Sequence, residues 1–243
     1  MTLDYDGWII LIGVLVATAC AIPGTWLVVR GMGMMGDAIS HAVLPGIALG
    51  FLISGSRDGG WMFAGAAVAG VFAAVLTQVV HRWGRVERGA AMGLVFTSFF
   101  SLGLLLIVQT ADTVDLDPNC VLYGAIELAP LDVVDLWGIT VPRIIIPLVI
   151  VGALNAVMVV VLYKELLISS FDPGLSASQG FNTKWIHYGV MVLTAATCVA
   201  CFEAVGSIIT VGLLVAPPAT ALLLTRRMVS VMTLAVVIGS AAA

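Results

Sequence analysis

Charged side chains are scarce in this chain. Asp, Glu, Lys and Arg make up 10% of its 243 residues, whereas 61% of the residues are hydrophobic. Soluble domains carry about 25% charged residues, so this composition excludes a soluble globular domain. The mean hydropathy of +1.14 predicts a multi-pass protein of the lipid bilayer. The net charge of −4 says little about partners, and no nucleic-acid partner is expected.

The signatures of several enzyme classes are missing. The sequence has no G-x-x-x-x-G-K-[ST] motif, so the chain lacks a P-loop of its own. It also lacks G-x-S-x-G, H-E-x-x-H and a Rossmann fingerprint, which leaves an ATPase, a hydrolase or an oxidoreductase without support. We therefore predict that the chain is not an enzyme and holds no cofactor permanently.

Cysteine is also rare, with four residues at positions 20, 120, 198 and 201. Cys198 and Cys201 have the C-x-x-C spacing, but they lie in an apolar run without a nearby His or second pair. This context favours packing within a helix over a redox or metal site. The cysteines do not form a framework that would predict disulfides.

Long apolar runs dominate what is present. A bilayer-spanning helix needs about 20 mostly apolar residues, and eight runs approach that length: 8–29, 32–53, 61–80, 90–108, 139–163, 187–204, 208–225 and 228–243. The short link near Gly206 indicates a tight hairpin or a broken helix. We predict an all-α, polytopic membrane helical bundle of about eight transmembrane helices, forming a single domain over residues 1–243. The last run is short, and we expect the natural chain to continue past Ala243.

Charge bias orients these runs. Basic residues mark the cytoplasmic side of a membrane protein, and eight of the ten fall on one side when the runs alternate: Arg30, Arg82, Arg85, Arg88, Lys164, Lys184, Arg226 and Arg227. Acidic residues dominate the other side. The first seven residues contain no Lys or Arg, unlike the start of a signal peptide, so we expect the first apolar run to be retained. The amino terminus is therefore predicted to be extracytoplasmic.

Two ionisable residues, Asp37 and His41, lie inside the second apolar run. A carboxylate at the centre of a membrane helix costs about 2.5–3.5 kcal/mol on insertion scales. Residues four apart share one helix face, so the carboxylate and the imidazole can meet one divalent transition metal ion. The structural alternative is a buried pair that only ties helices together. Counting from the start of the run places the pair 6–10 residues from the cytoplasmic end, or nearer the middle if the preceding glycines are not helical.

Three further residues are candidates for the pathway. Ser40 adds an oxygen or a hydrogen bond beside Asp37. Pro45 has no N–H, which frees the carbonyl of His41 and predicts a break in the helix. Glu203 is predicted near the outer end of the sixth run, either as an entry ligand or as a carboxylate that reaches water.

The connecting segments carry other signals. The outer loop contains Asp112, Asp115 and Asp117 but lacks the EF-hand pattern, so we interpret it as a solvated acidic loop. On the cytoplasmic side, 176–179 is predicted as a short helix along the membrane face, with Pro173 near its start and Gly180 at its end. The pair Pro217-Pro218 predicts a kinked or unwound seventh run.

The residues now support a resemblance. The run from Gly36 to Gly50 reads G-D-A-I-S-H-A-V-L-P-G-I-A-L-G and resembles the signature of the permease subunits of manganese/zinc/iron ABC importers. Supporting segments follow at 115–124, 171–173 and 205–221. The match spans nearly the whole chain. Two departures are that similar chains usually extend beyond this length and often have one proline, rather than two, at 217–218.

The resemblance implies a type II ABC importer-like permease in the bacterial inner membrane, paired with a second permease copy or a paralogue. It implies cytoplasmic ATP-binding subunits and an extracytoplasmic metal-binding protein that delivers manganese, zinc or iron. It further implies that Asp37 and His41 line the metal path. The residues that would couple to the ATPase are Phe171, Asp172, Pro173, Gly174, Ala177 and Gly180.

Other functions stay open from the residues. Asp and His also serve proton-coupled transport, so a secondary transporter or a channel for divalent cations is one alternative. An ABC importer of a metal chelate is another, although a bulky chelate would not need metal ligands in the pore. A scaffold or sensor would leave the embedded acid without a purpose. The metal, and whether the permease dimer is homomeric or heteromeric, also stay open.

Overall fold

The computed structural model describes residues 5–55, 59–110, 126–127, 129–136 and 139–243. The helices are α1 (Tyr5–Val29), α2 (Met35–Ser54), α3 (Gly59–Trp83), α4 (Arg88–Thr110), α5 (Ile145–Phe171), α6 (Pro173–Ser178), α7 (Thr183–Leu224) and α8 (Met228–Ala242). Strands β1 (Val133–Leu136) and β2 (Ile139–Pro142) form a small antiparallel sheet after a 3-10 turn at Ala129–Leu131. The predicted acidic loop at Asp112, Asp115 and Asp117, and the 115–124 motif with Cys120, lie outside the described residues.

Six of the described helices are long and apolar enough to cross a membrane. One of them, α7, has 42 residues, which would span about 63 Å if it were straight, twice the hydrocarbon thickness of about 30 Å. Its helix is interrupted at Gly206, where φ is 77° and ψ is 171°. The predicted break is therefore present. Counting the two halves of α7 and the 15-residue α8 reproduces about eight spans.

Contacts with α1 show how sharply α7 bends. The Sγ atoms of Cys201 and Cys20 lie 3.6 Å apart, and a Cβ on Gly24 would touch the backbone of Leu214. Cys20 and Gly24 are one turn apart on α1, about 6 Å, whereas a straight helix would separate Cys201 from Leu214 by about 20 Å. The chain therefore folds back near Gly206. The buried cysteines pack in the core, as predicted for the C-x-x-C pair.

The predicted fifth span is wrong at both ends. Residues 139–142 form β2, which pairs with β1 so that Val141 opposes Val134. Residues 139–141 form a strand because Ile, Thr and Val are β-branched. Pro142 has no N–H to donate to the sheet, which is tolerated at the end of a strand in this two-stranded sheet. Helix α5 begins at Ile145 and continues eight residues beyond the predicted end to Phe171, with non-helical dihedral angles at Leu162.

A buried polar link joins α5 to α7 in the core. The side-chain amide of Asn155 donates a hydrogen bond of 2.8 Å to Oγ1 of Thr197, and both residues are fully buried. Polar side chains that bond across helices hold membrane bundles together, because lipid supplies no competing partner. This link fixes α5 against α7, the two helices on which α1 packs.

Helices α2 and α3 approach each other through glycine. A Cβ added to Gly46 would lie 2.6 Å from the carbonyl oxygen of Gly65 and 2.8 Å from Cα of Ala66. One turn later, a Cβ on Gly50 would lie 2.6 Å from the carbonyl oxygen of Trp61. Small residues four apart allow this backbone contact in membranes. The close packing sets the position of α2, which carries Asp37 and His41.

Candidate functional site

The pair Asp37 and His41 lies in the first two turns of α2. The helix begins at Met35, because Gly31 has a left-handed φ of 68° and residues 31–34 form turns instead of the predicted helix. Asp37 and His41 are therefore the third and seventh residues of the helix, whereas counting from residue 32 made them the sixth and tenth of the run. The amino-terminal end of a helix carries a partial positive charge that favours a carboxylate by about 0.3–1 kcal/mol. The position therefore suits an acidic side chain.

The two side chains face each other at a distance that suits a shared ion. Oδ1 of Asp37 lies 3.6 Å from Nε2 of His41, and the side chains are 48% and 20% exposed. This distance is too long for a hydrogen bond. An ion bonded to both atoms at about 2.1 Å with a tetrahedral angle would hold them about 3.4 Å apart. The pair could accept one ion with little movement.

Two phenylalanines of α4 hold the imidazole. The ring of Phe96 lies 4.3 Å from that of His41 at 66°, and the ring of Phe100 lies 5.3 Å away at 84°. Both are edge-type contacts, which aromatic rings prefer. Nδ1 of His41 is buried and has no hydrogen-bond partner among the described residues. The sequence does not identify these phenylalanines as functional residues, because an F-x-x-x-F spacing in an apolar helix does not indicate what the rings touch.

The other predicted pathway residues near the pair have structural partners. The hydroxyl of Ser40 donates to the backbone carbonyl of Asp37 at 2.6 Å, so it is engaged with its own helix. The predicted break at Pro45 is wrong, since α2 is helical through this residue. Helix α4 packs against it: a Cβ on Gly103 would lie 2.7 Å from Cδ of Pro45. Packing from both sides keeps the helix regular although Pro45 supplies no N–H to the carbonyl of His41.

A similar correction applies to Pro217 and Pro218. Both lie inside the helical part of α7, so the predicted unwinding does not occur there. Pro217 packs beside Gly239 of α8 and Ala17 of α1. The interruption lies at Gly206 instead, because glycine adopts its dihedral angles without steric cost.

Glu203 stands apart from the pair. It is exposed and lies three residues before the break in α7. The charged groups that act on it are Arg143 and Asp132 beside the β1–β2 sheet. The structure does not bring Glu203 to Asp37 and His41.

The predicted cytoplasmic helix is present as α6, but it begins at Pro173 instead of residue 176. The carboxylate of Asp172 accepts a 2.9 Å hydrogen bond from the Leu175 N–H, which caps the helix, and Pro173 occupies the first turn. Gly180 follows the helix with φ of 84°. Phe171 and Leu175 are exposed apolar residues, and Gly174 and Ala177 are exposed as well.

The described residues contain no group of three or more His, Cys, Asp or Glu side chains that could hold a metal ion. Within the described part of the chain, Asp37 and His41 therefore offer an ion two potential ligands. A resident metal normally has at least three protein ligands. The arrangement is suited to brief contact with an ion, because two ligands leave most of its coordination to water or to other groups.

Comparison with known proteins places this geometry in context. A family model described as the ABC 3 transport family matches residues 4–243. The chain is 42% identical over 242 residues to the manganese transport system membrane protein MntD of Bacillus subtilis, covering 99% of this chain and 82% of that protein. It is 40% identical over 211 residues to the zinc transport system membrane protein TroD of Treponema pallidum, covering 86% of this chain and 57% of that protein.

A solved structure has the same fold. PsaBC from Streptococcus pneumoniae, in complex with a Fab, superposes with a TM-score of 0.79 at 30% identity, covering 99% of this chain and 80% of that chain.

Proposed function

Because the chain belongs to the ABC 3 transport family, we propose that it is the membrane permease subunit of an ATP-driven importer of divalent transition metal ions. The names of its relatives support manganese or zinc as cargo, and one relative, from Yersinia pestis, is named for chelated iron transport. The observation that carries the proposal is the 3.6 Å separation between Oδ1 of Asp37 and Nε2 of His41. An oxygen and a nitrogen at this spacing suit manganese, iron and zinc alike.

The pair acts as a transient binding site on the metal path. A carboxylate and one imidazole nitrogen replace two waters of the ion, and the remaining positions stay with water or with groups of a second permease. A transport path needs sites that bind strongly enough to admit an ion and weakly enough to release it. The absence of a third ligand among the described residues suits this requirement.

The surroundings of His41 keep metal binding at this site weak. Metal bonding through Nε2 requires the proton to be on Nδ1. Metal-bound histidines usually donate that proton to a carboxylate or a carbonyl, but Nδ1 of His41 has no such acceptor among the described residues. The rings of Phe96 and Phe100 hold the imidazole by packing instead. This fixes its position without raising its basicity.

The energy for transport comes from separate ATP-binding subunits at the cytoplasmic face. They contact the segment from Phe171 to Gly180, where the Asp172 cap and the left-handed Gly180 define a short, exposed helix. An extracytoplasmic binding protein delivers the metal, and a second permease copy or paralogue completes the path. The single domain has its amino terminus outside the bacterial inner membrane, an orientation supported by the convergence of Arg30, Arg82 and Lys184 at one end of the bundle.

Uptake of radioactive manganese, zinc and iron by cells that carry the complete importer tests the transient metal site at Asp37 and His41. We expect Asp37→Asn and His41→Ala each to reduce uptake by at least about tenfold, since losing even an outer-shell partner of a metal ligand costs about 10–100-fold, while the ATP-binding subunits still co-purify. Glu165→Gln is the matched control, because it removes a half-buried carboxylate of α5 that has no role in the proposed path. Normal uptake in both site variants would remove Asp37 and His41 from the mechanism.

A second measurement tests the energy source. Liposomes in which the ATP-binding subunits of the complete importer face the lumen should accumulate metal only when ATP is enclosed in the lumen. Metal flux at the full rate through this chain alone, without ATP-binding subunits, would indicate a channel or a secondary transporter instead.

A further inference from the structure

A basic pocket lies at one end of the bundle. It is lined by the last turns of α3 and α5, the first turns of α4 and α7, and Arg30, which follows α1. The cavity has a volume of about 190 Å³. Its ionisable and amide lining residues, which define the basic pocket below, are Arg30, Gln78, Arg82, Arg88, Lys184 and His187. None of these residues takes part in the proposed metal path.

Arg30 forms the inner wall of the basic pocket. Its Nε donates to Oγ of Ser170 at 2.9 Å, and its Nη2 donates to Oγ of Ser169 at 3.0 Å. Arg88 donates to the backbone carbonyl of Arg30 at 3.2 Å. Burial and the neighbouring charge of Arg88 lower the pKa of Arg30 to about 10. The guanidinium therefore stays charged at neutral pH, but its side-chain partners are neutral hydroxyls.

The positive charge of the basic pocket is not balanced by the described part of the chain. Among the described residues, Asp37–His41 is the one ion pair within 4.0 Å, and it lies outside the pocket. The carboxylate of Asp172, next to the lining residue Pro173, caps α6. A cluster of cations in a partly enclosed site favours an anion from outside.

Two tryptophans set the depth of the basic pocket. Trp83 follows Arg82 at the end of α3 and is 87% exposed, while Trp185 follows Lys184 at the start of α7 and is 76% exposed. Exposed tryptophans in membrane proteins concentrate at the level of the lipid headgroups. The pocket therefore opens where the phosphates of a bilayer lie.

We propose that the basic pocket binds the phosphate group of an anionic phospholipid. Basic pockets between transmembrane helices bind anionic headgroups in this way. The basic side chains of the lining donate hydrogen bonds to the phosphate oxygens, and Trp83 and Trp185 contact the region between headgroup and acyl chain. Under the orientation proposed above, this lipid belongs to the cytoplasmic leaflet. Its phosphate links the ends of several helices beside α6.

The test is a titration of the purified full chain in dodecyl maltoside with phosphatidylglycerol, phosphatidylcholine or inorganic phosphate, followed by microscale thermophoresis. We expect phosphatidylglycerol to bind most tightly. The double substitution Arg82→Gln/Arg88→Gln should raise its Kd roughly 30-fold, the ratio that two basic side chains supply near an anionic surface. The control Arg226→Gln/Arg227→Gln removes the same charge from exposed residues away from the pocket and should leave Kd within about twofold.

The single substitution Lys184→Gln keeps the test independent of folding, because Lys184 is exposed; it should raise Kd by roughly fivefold. Equal weakening by both double variants would mean general surface attraction and would overturn the proposal. Binding of inorganic phosphate as tight as that of phosphatidylglycerol would assign the pocket to a free anion. A third outcome is that the Arg82→Gln/Arg88→Gln variant binds lipid normally but loses the ATP-binding subunits. This result would assign the basic pocket to a carboxylate of a partner protein and would overturn the proposal.

Discussion

Gly46 offers the sharpest test of how α2 is held. A Cβ at this position would lie 2.6 Å from the carbonyl oxygen of Gly65, 2.7 Å from Cβ of Ala69 and 2.8 Å from Cα of Ala66. Carbon atoms in contact normally lie about 3.5–4.0 Å apart, so Gly46→Ala must move α2 and α3 apart by about 1 Å. Overpacking of this kind costs about 1–3 kcal/mol.

A second glycine, in open space, controls for the helix propensity that is gained when glycine is replaced by alanine. Alanine in a helix is favoured over glycine by about 0.8–1 kcal/mol, and this gain applies equally to Gly152→Ala in α5, where a Cβ would meet nothing within 4 Å. The difference between the two variants therefore isolates the overpacking of α2 against α3. We expect Gly46→Ala to be about 1–3 kcal/mol less stable than Gly152→Ala.

The assay is reversible unfolding in mixed micelles of dodecyl sulfate and dodecyl maltoside, followed by tryptophan fluorescence. The free energies of unfolding of the native chain, Gly46→Ala and Gly152→Ala are compared at the same lipid and detergent content. Because α2 carries Asp37 and His41, Gly46→Ala should also reduce metal uptake, while Gly152→Ala should not. Equal stability of the two variants would refute the close α2–α3 contact.

Three further predictions concern other parts of the bundle. Phe96→Ala should reduce metal uptake severalfold by releasing the imidazole, whereas Phe99→Ala, whose ring packs on a different phenylalanine, should reduce it less; equal effects would argue against a positioning role. Asp172→Ala should destabilise α6 by about 1 kcal/mol and uncouple ATP hydrolysis from uptake, with Asn as the conservative replacement; unchanged coupling would shift the coupling role to the Arg82–Arg88 loop. Gly206→Ala should lower the free energy of unfolding by about 1–3 kcal/mol, because its dihedral angles are almost restricted to glycine, and Gly189→Ala, with open space around its Cβ, is the control.

Local signals in the sequence predicted much of the fold. Apolar length predicted the number of spans, since a helix must satisfy its own backbone hydrogen bonds in lipid. Pro173 and Gly180 predicted the short cytoplasmic helix, although its start was placed at residue 176, because a proline in the first turn and a glycine past the end act within a few residues. Such features need no knowledge of distant contacts.

The errors occurred where neighbours outweigh local preference. The run at 139–142 is apolar enough for a membrane helix, but it pairs with 133–136 as a strand. Pro45 was expected to break α2, yet α3 and α4 pack closely on both sides of it. Pro217-Pro218 was likewise expected to kink or unwind its span, yet both prolines lie in the helical part of α7, which is interrupted at Gly206, where the short link between two apolar runs had predicted a break.

For the candidate site, the four-residue spacing was enough to predict that Asp37 and His41 share a helix face, because it is close to one helical turn. Their surroundings follow from helix packing alone: the two rings of α4 against the imidazole, the 3.6 Å separation of Oδ1 and Nε2, and the glycine contact between α2 and α3. Helix packing also brought together four basic residues from distant parts of the chain in one pocket. The physical reason is that helix periodicity acts over a few residues, whereas the packing that completes a site depends on which helices become neighbours.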